Sequence, residues 1–195
     1  MSRPQVLVRR VDEAHQQQLI DLWIANRVEA GISPEVAQRI GGDGTLRAAL
    51  TRPEVTALVA VLDDTAVGYL VLSDTTAGLL VDTPCTTIDQ LYVRAPWRRH
   101  GVARQLLAAA ATHADRAGAD QIASNVPSQV RDANRFFARL GFLPTVVRRV
   151  TTPSALQRRL AGRGEQRTSL DQVLQRRRTA RVRAGRQATA GLRNG

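Results

Sequence analysis

Residues 55–74, VTALVAVLDDTAVGYLVLSD, constrain the fold of this chain more than any other stretch. Two apolar runs rich in valine and leucine flank the polar turn Asp63-Asp64-Thr65, and this pattern is typical of a β-hairpin. The fold must therefore contain a sheet, and the segments around the hairpin decide its class.

Those segments alternate between strand and helix patterns. Before the hairpin, a valine-rich alternation predicts a strand, and helical spacing with caps at Asp12 and Ser33 predicts two helices. Residues 75–85, TTAGLLVDTPC, predict a loop. The other predicted strands are 5–11, 86–93, 121–126 and 142–150, and the predicted helices are 12–30, 33–50 with a break at Gly41–Gly44, a helix running to about Gly118, and 131–140. An antiparallel meander followed by strand–helix–strand units predicts an α/β fold, with a mixed, mostly antiparallel twisted sheet flanked by helices.

The positive charge is concentrated in the last part of the chain. The net charge is +11, and all 28 basic residues are Arg. Residues 151–195 hold 11 Arg against two acids, so they alone carry +9. We therefore expect a folded domain at 1–150 and a basic C-terminal tail at 151–195 that is partly helical or disordered. Helices are predicted from Thr152 through Leu160 and after a cap at Ser169.

This Arg-rich tail has three interpretations. The simplest is a solvated basic segment. A nucleic acid or an acidic partner is the second, because Arg contacts to phosphate bind without regard to base sequence, although the tail has no aromatic residue to stack on bases. A homodimer contact or a helix on a membrane surface is the third. Its apolar edges would be Leu156, Leu160, Leu170, Val173 and Leu174.

The few cysteine and histidine residues do not suggest a disulfide or a metal site. Cys85 is the single cysteine, so no internal disulfide forms, and the three histidines are too far apart in sequence to suggest a metal site. The first residues lack the apolar core of a signal peptide, and no run of about 18 apolar residues would span a membrane. We expect a cytoplasmic protein with no metal and no transmembrane segment.

Residues 95–107, APWRRHGVARQLL, join a predicted strand to a predicted helix. The first N–H groups of a helix and the positive end of its dipole together form an anion site. Gly101 lets the backbone approach a ligand closely, and Arg99 and Arg104 would add charge-assisted hydrogen bonds. The stretch predicts a diphosphate site, and a solvated basic loop is the alternative.

Motifs in and around this stretch resemble those of the GNAT superfamily of N-acyltransferases. The phosphate-loop pattern of that family, Arg/Gln-x-x-Gly-x-Gly/Ala, is matched by Arg98, Gly101 and Ala103. The strand before the loop is matched by Leu91, Val93 and Pro96, with the proline one place later than usual. The family's helix-to-strand ending is matched by Phe136, Phe137, Leu140, Gly141 and Phe142. The resemblance covers about residues 5–150.

The resemblance implies an N-acetyltransferase that takes its acyl group from acetyl-CoA. In the family, the pantetheine arm lies where two central strands splay apart, and those strands would be 86–93 and 121–126 here. The backbone of Leu91 and Val93 is then expected to bind pantetheine and the thioester carbonyl, and the loop amides to hold the diphosphate. The full set of expected cofactor contacts is Leu91, Tyr92, Val93, Arg98, Arg99, His100, Gly101, Val102, Ala103, Arg104, Asn134 and Phe137.

Asp89 is the predicted catalytic base, and some family members carry a catalytic acid at the matching position. A lysine-like amine has a pKa near 10.4, so losing its proton at pH 7 costs about 4.6 kcal/mol, and a positioned base meets part of that cost. Strand alternation places Asp89 on the same side as Val93, unless a bulge intervenes. The Val93 N–H would stabilise the charge on the thioester oxygen. An Asp that caps a local turn is the alternative.

The sequence departs from the family at Phe137, where many members have a tyrosine that protonates the leaving thiolate. Alternation turns Tyr92 away from Asp89, and Cys85 has no evident activator. A thiolate also leaves unaided, because a thiol pKa of about 8.5 is modest. The alternative function is a nucleic-acid-associated or CoA-binding, non-catalytic protein that acts through its Arg-rich tail.

The expected acceptor is a primary amine of a small molecule or a protein. In the family, the first helices and the segment corresponding to 75–85 form the acceptor pocket. Asp82 and Glu35 are the candidate partners there for a cation, and Trp23 would border the same region.

Overall fold

The computed structural model describes residues 6–78, 81–127, 129–146 and 149–161. The elements in chain order are β1 (Leu7–Arg10), α1 (Glu13–Glu29), α2 (Pro34–Gly42), α3 (Thr45–Leu50), β2 (Val55–Leu62), β3 (Thr65–Gly78), β4 (Val81–Val93), a 3₁₀ turn (Ala95–Trp97), α4 (Val102–Arg116), β5 (Gln121–Ser124), α5 (Arg131–Ala138) and α6 (153–161). The strands form one sheet in the order β1-β2-β3-β4-β5. Neighbours from β1 to β4 are antiparallel, and β5 is parallel to β4. The predicted mixed, mostly antiparallel sheet is confirmed.

Local signals set the helix boundaries. The Asp12 carboxylate accepts the His15 N–H at 3.0 Å and so caps α1. The predicted break in 33–50 is real, because Gly44 turns the chain at a φ of 83° between α2 and α3. Gly141, at a φ of 89°, follows the end of α5. Ser33 is the residue that precedes α2, as predicted, but its side chain makes no capping hydrogen bond.

The sheet buries a separate apolar core on each face. One face packs against α1 through Leu19, Leu22 and Trp23. The other face packs against α4 and α5, and α4 presents buried side chains at every fourth position, as an amphipathic helix does. The buried residues of α4 are Val102, Leu106, Ala110 and Ala114. The two cores fix β4 between α1 and α4, and the candidate site lies at the end of β4.

The predicted loop at 75–85 is wrong. β3 and β4 continue through most of it as a paired ladder, with Thr76 opposite Pro84 and Gly78 opposite Val81. Threonine is a good strand former, and the ladder extends past the apolar core.

The predicted strand at 142–150 is also wrong for the residues that the structure describes there. Residues 142–146 and 149–150 have no strand conformation. Pro144 removes one backbone donor, and the apolar side chains Leu143 and Val146 are exposed. Apolar alternation alone does not make a strand unless a neighbouring strand pairs with it.

Chain contacts divide the protein after Phe142. In the second unit, the predicted helix after Thr152 is present as α6, and the Thr152 hydroxyl accepts the Ala155 N–H at 3.2 Å. The second tail helix, predicted after Ser169, and the apolar edges at Leu170, Val173 and Leu174 lie outside the described residues. Among the described residues, no helix is long and apolar enough to cross a membrane.

Candidate functional site

The central strands β4 and β5 separate at the candidate site. They pair in parallel only from Cys85 opposite Gln121 to Ile88 opposite Ser124, and the Asn125 N–H still reaches the Ile88 carbonyl at 3.3 Å. β4 then continues to Val93, while β5 has ended. A gap therefore opens along the outer edge of β4.

Backbone groups of β4 point into this gap. The Arg94 N–H donates to the Val67 carbonyl of β3 at 2.9 Å. Because hydrogen-bonded and non-hydrogen-bonded pairs alternate in an antiparallel ladder, the next pair, Gly68 with Val93, is of the non-hydrogen-bonded kind. The N–H groups of Val93 and, two residues earlier, Leu91 therefore point away from β3 and toward the gap. The Tyr92 backbone faces β3 instead.

Asp89 is the extra residue of a β-bulge in β4. Gln90 lies opposite Val71, but Ile88 lies opposite Leu72, so no residue of β3 pairs with Asp89. A bulge is the exception under which the same-side prediction for Asp89 and Val93 was made, so alternation no longer places the two residues on one side of β4. The Asp89 side chain is exposed where β4 and β5 separate, and the Asn125 amide nitrogen is 3.4 Å from its Oδ1. Its catalytic role stays a prediction.

The loop between β4 and α4 exposes the amino terminus of α4. Arg99 and Gly101 both have left-handed backbone, with φ of 67° and 84°. The first bond within α4 runs from Gln105 N–H to the Gly101 carbonyl, at 3.1 Å. The earlier amides of the helix, from Val102 to Arg104, have no acceptor in the helix itself, as at any helix start.

The space in front of these amides is open. A Cβ added to Gly101 would meet no atom within 4 Å. The side chains of Arg99, His100 and Arg104 are exposed around it, and Val102 offers only its backbone because its side chain is buried. Free N–H groups, a helix dipole and exposed basic side chains suit a diphosphate.

The side chains of His100 and Arg98 form hydrogen bonds to backbone carbonyls of the protein. His100 Nδ1 donates to the Arg98 carbonyl at 2.8 Å, which keeps the ring on the loop. Arg98 turns back to the end of β4, where its Nε–H donates to the Val93 carbonyl at 2.9 Å. The Arg98 side chain is therefore engaged at the strand end.

The two α5 residues predicted to face the cofactor have structural contacts. The Asn134 amide nitrogen donates to the carbonyls of Pro127 at 3.0 Å and Val130 at 2.8 Å, so it holds the turn before α5. Phe137 is buried in the core cluster, with its ring centroid 5.0 Å from that of Phe142. The expectation that this pair jointly faces the cofactor gains no support from these contacts.

An apolar groove of about 490 Å³ runs beside α4. It begins at Arg104 and reaches Ile122 of β5 and Phe142 after α5. A ligand whose anionic group lies at the start of α4 has this apolar surface beside it.

Sequence patterns missed Glu29 and a tyrosine network. Tyr92 Oη donates to Glu29 Oε1 at 2.6 Å, and Arg98 Nη2 pairs with Glu29 Oε2. On the same face of the sheet, Tyr69 Oη accepts from Asn26 at 2.9 Å and donates to Gln90 at 2.8 Å. These partners are far apart in sequence, so no local spacing signals them.

Solved structures of acetyltransferases share this fold. An aminoglycoside N-acetyltransferase AAC(6')-Iy in complex with CoA aligns with a TM-score of 0.64 and 18% identity, over 77% of this chain and 96% of that chain. A ribosomal-protein-alanine N-acetyltransferase from Brucella melitensis biovar Abortus 2308 aligns with a TM-score of 0.62 and 18% identity, over 75% and 98% of the two chains. An aminoglycoside acetyltransferase, meta-AAC0020, from an uncultured soil metagenomic sample gives a TM-score of 0.62 and 21% identity, over 75% and 95%.

The sequence also matches the Acetyltransferase (GNAT) family over residues 17–142. The chain belongs to this family, and the predicted resemblance is confirmed. No curated protein matches the sequence.

Proposed function

We propose that this protein is an N-acetyltransferase that moves the acetyl group of acetyl-CoA to a primary amine. The observation that carries the proposal is the gap beside β4, where the Val93 N–H points outward near the open start of α4. An outward N–H for a thioester oxygen, followed by a helix start for a diphosphate, is an arrangement that suits acetyl-CoA.

The residues present fit acetyl-CoA. The amides from Arg99 to Arg104 would hold its diphosphate, with Arg99 and Arg104 adding charge. The open space at Gly101 leaves room for phosphate oxygens against the backbone. The outward groups of Leu91 would bind the pantetheine amides, and Val93 N–H the thioester oxygen. When bound, acetyl-CoA supplies an activated acetyl group and a thiolate leaving group.

Asp89 would act as the base in this site. It accepts a proton from the acceptor's ammonium group, directly or through a water, so that the nitrogen lone pair is free. The freed lone pair forms the C–N bond as the C–S bond breaks, and the sulfur leaves with that electron pair. The nitrogen then loses its second proton to solvent, so that a neutral amide results. Val93 N–H stabilises the negative charge that develops on the carbonyl oxygen.

No proton donor for the sulfur is needed in this account. Phe137 cannot donate, and the Tyr92 hydroxyl is already engaged with Glu29. The thiolate would leave unprotonated, in keeping with an ordinary thiol pKa of about 8.5.

A primary amine is the proposed acceptor class. The structural neighbours named above act on an aminoglycoside or on the alanine of a ribosomal protein, and both classes of substrate carry amines. We therefore propose an amine of an antibiotic-like small molecule or of a protein.

The test is release of free CoA thiol from acetyl-CoA in the presence of single amines. The panel would comprise sisomicin, spermidine, lysine and a peptide that begins with alanine. We expect at least one amine to accelerate thiol release and to gain one acetyl group by mass spectrometry. Binding of acetyl-CoA with no acceleration by any amine would instead favour the non-catalytic, CoA-binding alternative.

A further inference from the structure

Glu29, the last residue of α1, spans from the helix to the end of β4 and the loop that follows. One carboxylate oxygen accepts the Tyr92 hydroxyl at 2.6 Å, and the other pairs with the Arg98 guanidinium. Burial alone would raise the pKa of Glu29, but hydrogen bonds from Tyr92 and Arg98 outweigh it and lower that pKa. Glu29 is therefore a charged partner for both residues at neutral pH.

Arg98 carries this connection to the strand backbone. Its Nε–H donates to the Val93 carbonyl at 2.9 Å while its Nη2 is held by Glu29. The guanidinium also lies over the Tyr92 ring, 5.8 Å from the centroid. Arg98 is half exposed, so without Glu29 it would be free to turn toward solvent. We call the chain of contacts from Glu29 through Arg98 to the Val93 carbonyl the Glu29 link.

The Glu29 link fixes one peptide plane at both ends. The plane between Val93 and Arg94 contributes its N–H to Val67 of β3 and its carbonyl to Arg98. The adjacent plane carries the Val93 N–H. The bond to Val67 sets the side of β4 to which the Val93 N–H points, and the Arg98 contact at the other end of the plane limits the rotation that remains about Val93.

We propose that Glu29 is a positioning residue for acetyl transfer, because it holds Arg98 on the Val93 carbonyl and thereby keeps the Val93 N–H aimed into the gap. This inference rests on the proposed function. A positioning role differs from a simple stabilising role, because the Glu29 link ends on the backbone of Val93, whose N–H is proposed to bind the thioester oxygen. A small misplacement of such a donor lowers the rate of the chemical step more than it lowers binding.

The first test is a series at position 29 with Glu13→Ala as the matched control on the same helix. We measure kcat with the most active amine of the panel and Kd for acetyl-CoA by calorimetry. Glu29→Ala should lower kcat about 10- to 100-fold. Glu29→Gln keeps one acceptor oxygen and should recover part of that loss. Neither Glu29→Ala nor Glu29→Gln should raise the Kd for acetyl-CoA, because each removes a negative charge near a diphosphate site.

The second test uses the ligand-free protein. The Val93 amide should shift or broaden in the two-dimensional ¹H–¹⁵N NMR spectrum of Glu29→Ala and stay in place in that of Glu13→Ala. Arg98→Lys keeps the charge but loses the fork that reaches two acceptors, so it should lower kcat as Glu29→Ala does. Because both changes break the same Glu29 link, the protein that carries Glu29→Ala and Arg98→Lys together should be no slower than either single variant.

The outcomes separate the two proposals. An unchanged kcat and an unchanged Val93 amide in a folded Glu29→Ala protein would overturn the positioning role and leave the proposed function intact. An equal loss of kcat in Glu29→Ala and Glu13→Ala would also overturn the positioning role and leave the proposed function intact. No turnover of acetyl-CoA by the unaltered protein would overturn the proposed function and this inference together.

Discussion

The Arg94 N–H donates to the Val67 carbonyl at 2.9 Å, and this bond decides which backbone groups of β4 face the gap. It sets the phase of the ladder between β3 and β4, so Val93 and Leu91 point outward and Tyr92 points inward. The side to which the Val93 N–H points, as the predicted donor to the thioester oxygen, is therefore set by the contact between Val67 and Arg94.

Gly68 keeps β3 and β4 close at this point. A Cβ added there would lie 2.8 Å from the Tyr92 carbonyl oxygen, which belongs to the backbone and cannot move aside cheaply. We expect Gly68→Ala to lower the free energy of unfolding by about 1–3 kcal/mol and to weaken acetyl-CoA binding, because β4 must shift. Urea denaturation measures the first effect. Gly42→Ala is the control, since a Cβ at Gly42 meets nothing within 4 Å, and equal stability of the two variants would contradict the prediction.

Asp89→Asn removes the proposed base while keeping its shape. We expect kcat to fall about 10²- to 10⁴-fold, the range of general base catalysis, with little change in Kd for acetyl-CoA. Thiol release and calorimetry measure the two quantities. Asp132→Asn, whose native side chain is 99% exposed on α5, is the control. A kcat that stays within about twofold of the unaltered protein would assign the base elsewhere.

The two tyrosines make stability depend on alkaline pH. Burial raises the pKa of Tyr69 to about 12. Burial first, and then the hydrogen bond to Glu29, raises the pKa of Tyr92 to about 12. In the unfolded chain both should titrate near the ordinary value of 10.0. The folded protein thus holds protons that the unfolded chain releases, so stability is full below about pH 10 and falls as pH rises toward 12.

Urea denaturation at a series of pH values measures this fall. The chain contains no Lys, so few other groups titrate in the same interval. Replacing both Tyr69 and Tyr92 with Phe should flatten the dependence of unfolding free energy on pH. A slope unchanged by the double replacement would show that other groups release the protons.

Asp74 joins β3 to β4 and α4 on the other side of the bulge from Val93. Its Oδ1 accepts the hydroxyl of fully buried Thr86 at 2.7 Å, and its Oδ2 is 2.7 Å from His113 Nε2. Asp74→Ala leaves the Thr86 hydroxyl without this partner and should lower the free energy of unfolding by about 1–3 kcal/mol. The KM for acetyl-CoA should not change. The control is Asp115→Ala, because Asp115 is exposed on α4 near His113. This variant should keep the stability of the unaltered protein. An equal loss of stability in Asp74→Ala and Asp115→Ala would show that the effect comes from the helix and not from the Thr86 contact.

Strong local patterns made most of the fold predictable. The hairpin of β2 and β3 combines apolar runs with a polar turn, and α4 repeats its apolar residues with helical spacing. The helix start after Gly101 was also predictable, and the role of this loop as a diphosphate site stays a prediction.

Pairing between strands could not be predicted from one strand at a time. Asp89 looks like a regular strand position in the sequence, and only its register against Val71 and Leu72 reveals the bulge. The segment 75–85 was predicted as a loop, yet β3 and β4 pair through most of it. The strand predicted at 142–150 has the right alternation but no strand conformation among its described residues.

Contacts over long sequence separations could not be predicted either. Glu29 and Arg98 are 69 residues apart, and neither lies in a motif that implies the other. Asn134 and Phe137 share a helix face, as expected, but their contacts with the turn before α5 and with Phe142 depend on tertiary packing.

A diphosphate site at the start of α4 is tested by calorimetric titration of acetyl-CoA into the unaltered protein, Gly101→Glu and Gly118→Glu. Both glycines have left-handed backbone and open surroundings, at the two ends of α4, so the variants carry the same strain and the same added charge. We predict micromolar binding that is lost in Gly101→Glu and kept in Gly118→Glu. Binding that survives Gly101→Glu, or that both variants lose alike, would contradict a diphosphate site at the start of α4.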